Sequence, residues 1–452
     1  MIFAGMMLAM GAAVLSQGDY QVLFNDCPHC TAQFHVAPDG KTAYVNRERV
    51  SDAEVDAVAK RALALMKSTE DAKKFNEKRP LMGWSSWNTF GAQITADVVT
   101  TMAEAMATNG LKDAGYRYVN IDDGYYVDRD AKGNLRIDPV KFPNGLKPVV
   151  DRIHGLGMKA GIYSDAGDNT CCGIHGVGLY GHDDQDAQFL FKEMDFDFIK
   201  IDYCGGCHLK LNEHDRYTAI RRALDKAKPG VRMNICRWNF PGEWAAKVAD
   251  SWRSTGDIRA KWADVKRIVD QTIPLAAFAS YGHYNDMDML EVGQLCGKVR
   301  TAFGACDPGL TRVEEATHFG MWCFMSSPLL LGCDARKLDA TTMALVTNPF
   351  LLAMNQNDLD APVRMILRDE DSYILAKDCE KLRGTSRYVA IYNARETDYE
   401  FCIEFYQLDL GGRLRFFDLG AREDAGTYER NARFVVPPHG ARFFRVDADV
   451  RY

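Results

Sequence analysis

Between residues 81 and 356, eight short apolar runs alternate with helical patterns, and this alternation restricts the chain to very few folds. The runs cover 81–87, 116–122, 159–165, 196–202, 231–236, 251–257, 281–286 and 326–331. Strands joined through helices pair in parallel, and eight of them close into a (β/α)8 TIM barrel. The helical pattern is clearest at 95–109, where Val98, Met102 and Met106 share a face and Gly110 follows as a stop, and at 313–325. After about residue 360 the texture changes to short alternating strands at 372–376, 387–392, 399–405 and 432–436. These predict a C-terminal antiparallel β-sandwich over 360–452 behind a barrel over 81–356. The turn Pro437-Pro438-His439-Gly440 suits a sheet corner, so His439 reads as structural. A chain of 452 residues has room for both domains.

The N-terminal part is less readable. Residues 17–80 form an extension without an evident role, and Val55, Val58, Ala59, Ala62, Leu63 and Met66 in it fall at helical spacing. Residues 1–16 are apolar but too few to span a bilayer, and they read as a signal-peptide core without the usual basic start. The expectation is a secreted or periplasmic protein that has no membrane segment in its mature form. Thirteen cysteines is an odd number, so a monomer leaves at least one thiol unpaired. Two C-x-x-C pairs stand out, Cys27-Pro-His-Cys30 and Cys204-Gly-Gly-Cys207. The segment around the first is too short for a thioredoxin-like domain, so a local disulfide or idle thiols fit better than zinc or redox chemistry. A net charge of -7 without a long basic run argues against nucleic acid as a partner.

The chemistry concentrates at the carboxyl ends of the strands. Read there, the runs supply Trp84 and Trp87, Asp122 and Asp123, Tyr163 and Asp165, Lys200 and Asp202, Cys236 and Arg237, Arg253 and Asp257, then Asp286 and Asp288. A barrel keeps its reactive groups at that end, whereas a buried strand has no structural use for them. Lys200 and Asp202 alternate onto one side of their strand, where the ammonium would hold the carboxylate ionised and ready to attack. Tryptophan faces beside convergent carboxylates suit a sugar, which stacks one face on an aromatic ring and bonds its hydroxyls to charged acceptors. Metal chemistry fits less well. The calcium-loop lookalike at 128–139 has Lys132 at a ligand position and Pro139 where the bidentate glutamate belongs, and the histidines lack zinc-ligand spacing. No phosphate loop or nucleophile elbow occurs, and no cofactor is expected.

Six stretches then carry a resemblance. Met82-Gly-Trp-Ser-Ser-Trp-Asn88, Gly110-Leu-Lys-Asp-Ala-Gly-Tyr-Arg-Tyr-Val-Asn-Ile-Asp-Asp123, Gly161-Ile-Tyr-Ser-Asp-Ala-Gly167, Lys200-Ile-Asp-Tyr-Cys204, Ser251-Trp-Arg-Ser-Thr-Gly-Asp257-Ile and Asn285-Asp-Met-Asp-Met-Leu290 resemble the α-galactosidases (melibiases) of glycoside hydrolase family 27. The resemblance implies retaining hydrolysis of a terminal α-D-galactoside of an oligosaccharide or glycan. It implies Asp202 as nucleophile and Asp257 as acid/base, with Trp87, Asp122, Asp123, Tyr163, Lys200, Arg253 and Asp288 holding the sugar. Lys200 would keep Asp202 charged, while a less polar setting would keep a proton on Asp257. The family's disulfide maps onto Cys171 with Cys204, although adjacent Cys172 leaves the partner open. It does not reach the first 80 residues.

Three positions depart from the family pattern: Tyr203 after the implied nucleophile, Asn357 in the motif that closes the barrel, and Arg237. Arg237 stands where glutamate or asparagine commonly meets the sugar 2-hydroxyl. An α-N-acetylgalactosaminidase or a β-L-arabinopyranosidase is therefore the alternative on this scaffold, and a carbohydrate-binding protein is the non-enzyme alternative.

Overall fold

The computed structural model describes residues 13–26, 30–293, 299–300, 306–307, 309–359, 361–379 and 384–448. Two compact units account for them, one of residues 76–343 and one of residues up to 75 together with those from 344 onward.

The first unit is the barrel. All eight apolar runs contain a strand: Met82–Ser85, Tyr118–Asn120, Lys159–Asp165, Phe198–Asp202, Arg232–Ile235, Ser251–Arg253, Tyr284–Asp286 and Leu329–Leu331. Neighbours pair in parallel in chain order, and the eighth returns to the first through Leu329 beside Met82. The ring is completed at Leu290, whose N–H bonds Leu330 O at 2.7 Å and whose carbonyl accepts from Gly332 N at 3.0 Å. The two helices read most clearly form with their own caps. Thr95 accepts from Val98 N ahead of Ala96–Thr108, and Thr311 with Glu314 forms a capping box ahead of Arg312–Phe324. In the former, Val99 rather than Val98 is fully buried beside Met102 and Met106. An apolar cluster of Leu81, Tyr118, Phe198, Met289 and Leu330 fills part of the barrel.

The second unit is a β-sandwich with a larger sheet than the sequence suggested. Its ten-stranded sheet joins Arg364–Asp369, Ser372–Asp378, Ser386–Asn393, Leu414–Asp418, Glu423–Tyr428 and Ala441–Ala448 to four N-terminal strands, Ala13–Gln17 and three from the extension. A second layer pairs Tyr399–Glu404 with Asn431–Val436 across a core that includes Ile391, Phe401, Phe416, Phe434 and Phe444. The extension is attached through the His35–Glu423 bridge, Val36 N to Arg422 O at 2.7 Å, and the Arg61–Asp424 ion pair at 2.8 Å. Its helix, Val55–Lys67, buries Val58, Ala59, Ala62, Leu63 and Met66 as their spacing requires. Ala13–Gln17, the end of the apolar run read as a signal-peptide core, is an edge strand paired with Tyr20–Asn25. Residues 1–12 and Cys27 lie outside the described residues; Cys30 is disulfide-bonded. Among the described residues no helix is long and apolar enough to cross a membrane.

Candidate active site

The mouth at the strand carboxyl ends holds a pocket of about 150 Å³ lined by Trp87, Asp122, Asp123, Tyr163, Cys171, Lys200, Asp202, Cys204, Cys236, Trp238, Arg253, Asp257 and Asp288, among others. Every residue that the resemblance implied for the sugar or the catalytic pair is present; of the others read at the strand ends, Cys236 lines the pocket and Trp84, Asp165, Asp286 and Arg237 do not. Parity accounts for Arg237: it follows Cys236, which faces the pocket one residue beyond the fifth strand, and so turns to the other side of the chain. Arg237 instead pairs its Nε with Glu213 Oε2 at 2.5 Å. Trp238 was missed, although its place two residues after strand-end Cys236 was the signal for it. It lies at φ 60° and Asp288 at φ 75°, left-handed conformations that cost a non-glycine residue energy and that cluster at functional sites.

Lys200 is the hub. Its Nζ bonds Asp122 Oδ2 at 3.1 Å and lies 3.8 Å from Asp202 Oδ2 and 5.3 Å from the Tyr163 ring centre. Burial disfavours its charge, but Asp122 and Asp202 outweigh that and hold the ammonium well above its ordinary range. Asp123 is fixed at both oxygens, accepting from Tyr126 Oη at 3.0 Å and Cys172 N at 2.9 Å, and burial raises its pKa. A second cluster centres on buried Arg253. Its Nη2 reaches Asp288 Oδ2 at 2.9 Å, Asp257 Oδ1 at 3.0 Å and Thr255 O at 3.1 Å. The Cys171–Cys204 disulfide closes the rim, which settles the choice between Cys171 and Cys172. Asp165 lies near both sulfurs in a grouping with metal-ligand spacing, but the sulfurs are bonded to each other and cannot act as ligands.

The electrostatics of the pocket reverse the sequence-based expectation for the two carboxylates. Burial pushes Asp202 up to about 6, with Lys200 and the Cys236 thiol pulling the other way. For Asp257 burial also acts upward, but Arg253, with help from Lys200, overrides it and holds the carboxyl below its usual range. Asp257 is the more accessible of the two, its side chain half exposed, whereas Asp202 is 5% exposed. Two interacting carboxyls share their protons as a pair. Of the two, Asp202 is therefore the more easily protonated.

A closed parallel barrel with carboxylates, a lysine and tryptophans around one mouth is the architecture of a glycoside hydrolase. A sequence model described as Alpha galactosidase A (melibiase) matches residues 79–357. The chain is 36% identical over 411 residues to an α-galactosidase A of Cellvibrio japonicus, covering 85% of this chain and 96% of that one. The crystal structure of α-galactosidase I from Mortierella vinacea superposes with a TM-score of 0.74 at 29% identity, covering 83% of this chain and 99% of that one. A Bacteroides fragilis structure described as a putative α-galactosidase/melibiase gives 0.75 at 32% identity, covering 82% and 80%. The chain belongs to the α-galactosidase A (melibiase) family.

Proposed function

We propose that the protein is a retaining α-galactosidase in which Asp202 attacks the anomeric carbon and Asp257 protonates the departing oxygen. The observation that carries this is the convergence of Asp202 and Asp257 on one small pocket with Lys200, Arg253 and the acceptors Asp122 and Asp123. In the first step Asp202 forms a glycosyl ester as the glycosidic bond breaks, and the Asp257 proton goes to the leaving oxygen. In the second, Asp257 takes a proton from water, the water oxygen bonds the anomeric carbon, and the ester bond to Asp202 breaks. The proton must sit on Asp257 when the first step begins. Substrate moves it there: sugar hydroxyls donating to Asp202 favour that carboxylate's charged form, and the glycosidic oxygen offers the Asp257 proton an acceptor. Asp122 and Asp123 take the 4- and 6-hydroxyls, while Trp87 stacks on the ring.

Galactose is the sugar that this reading favours, and its 2-hydroxyl edge falls to Cys236 and Trp238 rather than to Arg237. The test is kcat/KM on matched nitrophenyl glycosides of α-galactose, α-N-acetylgalactosamine and β-L-arabinopyranose. Galactose should lead. A lead of more than about tenfold for either other sugar, equal to about 1.4 kcal/mol of transition-state binding, would overturn the substrate assignment.

The finer reading of location is secretion or export to the periplasm, supported by the Cys171–Cys204 bridge, which persists in oxidising compartments. Sequencing the mature N-terminus tests it, and Met1 retained in protein from the native host would overturn it. Cleavage after residue 16 would also remove most of the Ala13–Gln17 edge strand.

A further inference from the structure

Asp165 is a buried carboxylate for which the mechanism above has no use. It ends the third strand, in register beside Asp202 at the end of the fourth. Its side chain does not enter the sugar pocket but turns to the backbone that follows Asp202. Oδ2 accepts from Cys204 N at 2.7 Å, and Oδ1 accepts from Gly205 N at 3.0 Å, Gly206 N at 3.4 Å and its own strand's Gly167 N at 2.6 Å. The short helix Cys204–His208 starts there, and its own N-cap residue, Tyr203, supplies no side-chain acceptor. The first N–H groups of a helix have no partner within it, so a residue from the neighbouring strand satisfies all three.

Two further features lock the same junction. A Cβ at Gly167 would lie 2.0 Å from Gly205 C and 2.1 Å from Gly206 N, so the two turns meet backbone to backbone with no space for a side chain. Ala166 N also donates to Asp202 O at 2.8 Å. Asp202 is thus held by the parallel ladder on its N-terminal side and by the turn clamped to Asp165 on its C-terminal side.

We propose that Asp165 is a positioning residue that fixes the reach of Asp202 toward the anomeric carbon; this rests on the reading of Asp202 as the nucleophile. Fixing the backbone on both sides of Asp202 leaves only its two side-chain torsions to order, and a small misplacement of a nucleophile slows attack steeply without weakening ground-state binding. A group that served folding alone would leave the attack rate of the folded enzyme unchanged. Asp165→Asn keeps the shape but replaces two acceptor oxygens with one, and its amide hydrogens face N–H donors.

The test uses the full chain and a ring-fluorinated α-galactosyl fluoride, which traps the glycosyl ester, with inactivation kinetics and peptide mapping by mass spectrometry. Wild type should be labelled on Asp202. In folded Asp165→Asn the maximal inactivation rate should fall about tenfold or more, while inhibition by free galactose changes by less than about threefold. An inactivation rate within about twofold of wild type would overturn the proposal. If Asp165→Asn does not fold, Asp165→Ser, smaller and still able to accept one N–H, replaces it with the same expectation. Failure of both variants to fold assigns Asp165 to stability and overturns the proposal too. Labelling of wild type at another residue overturns the reading of Asp202 instead, whatever the variants do.

Discussion

Replacing Lys200 with methionine removes a buried charge while keeping most of the side chain's volume, and its effect should depend on pH in a way that a lost sugar contact would not. Lys200 Nζ lies 3.8 Å from Asp202 Oδ2, which at an effective dielectric constant near 20 corresponds to about 4 kcal/mol. The ammonium is shared with Asp122 at 3.1 Å and the site relaxes when it is lost, so roughly half, or about 2 kcal/mol, falls to Asp202. That is about 1.5 pKa units, which raises Asp202 from about 6 to about 7.5. As the proposed nucleophile, Asp202 must be ionised to attack. Its ionised share should fall about 30-fold near pH 5 and hardly at all near pH 8.5. The assay is kcat/KM for a nitrophenyl α-galactoside across that range, expressed as the ratio of wild type to Lys200→Met. The loss should be large on the acid side and shrink toward alkaline pH, down to whatever constant factor the missing sugar contact imposes. A ratio constant within about threefold over the range would refute the claim that Lys200 sets the protonation of Asp202.

Three other outcomes follow from the same geometry. In the proposed mechanism the pair Asp202 and Asp257 must hold one proton; with Asp202 raised to about 6 and Asp257 held below its ordinary 3.8, kcat/KM should be highest between about pH 4 and 6 and fall above it as that proton is lost, and an optimum above about pH 8 would contradict the pairing. Asp257→Ala should leave substrates with good leaving groups far less impaired than alkyl galactosides, because the former depart without a proton; equal loss on both would remove Asp257 from the acid role. Reducing Cys171–Cys204 reopens a loop of 33 residues, which should cost about 3–4 kcal/mol and lower the melting temperature by several degrees. Activity should fall with it, since both cysteines line the pocket, and unchanged melting in reductant would contradict that contribution.

The barrel was legible in the sequence because each of its strands is buried and therefore apolar along its run, as in Phe198–Asp202, and because helical patterns separate them. The sandwich was only half legible. Glu423–Tyr428 reads Glu-Asp-Ala-Gly-Thr-Tyr, with too few apolar residues to alternate, and Arg364–Asp369 is an edge strand with mostly exposed side chains. Phe34–Val36 is three residues long, and its place in the sheet depends on Glu423, a partner no local pattern can announce. In the pocket, position along the strands was enough to find Asp122, Lys200, Asp202 and Asp257. Pairing was not. Nothing local states that Arg253 leans onto Asp257, and that contact reverses the order of the two carboxyls. Arg237 shows the opposite case, because strand parity alone would have turned it out of the pocket.

The central claim is that Asp202 attacks the anomeric carbon, and the measurement that meets it most directly is the identity of the residue that becomes glycosylated. Wild-type protein treated with the ring-fluorinated α-galactosyl fluoride, digested and mapped by tandem mass spectrometry should carry the sugar on the peptide that contains Asp202, with the fragment ions assigning it to that side chain. Sugar found on Asp257, or inhibition with no covalent adduct on any carboxylate, would contradict the account.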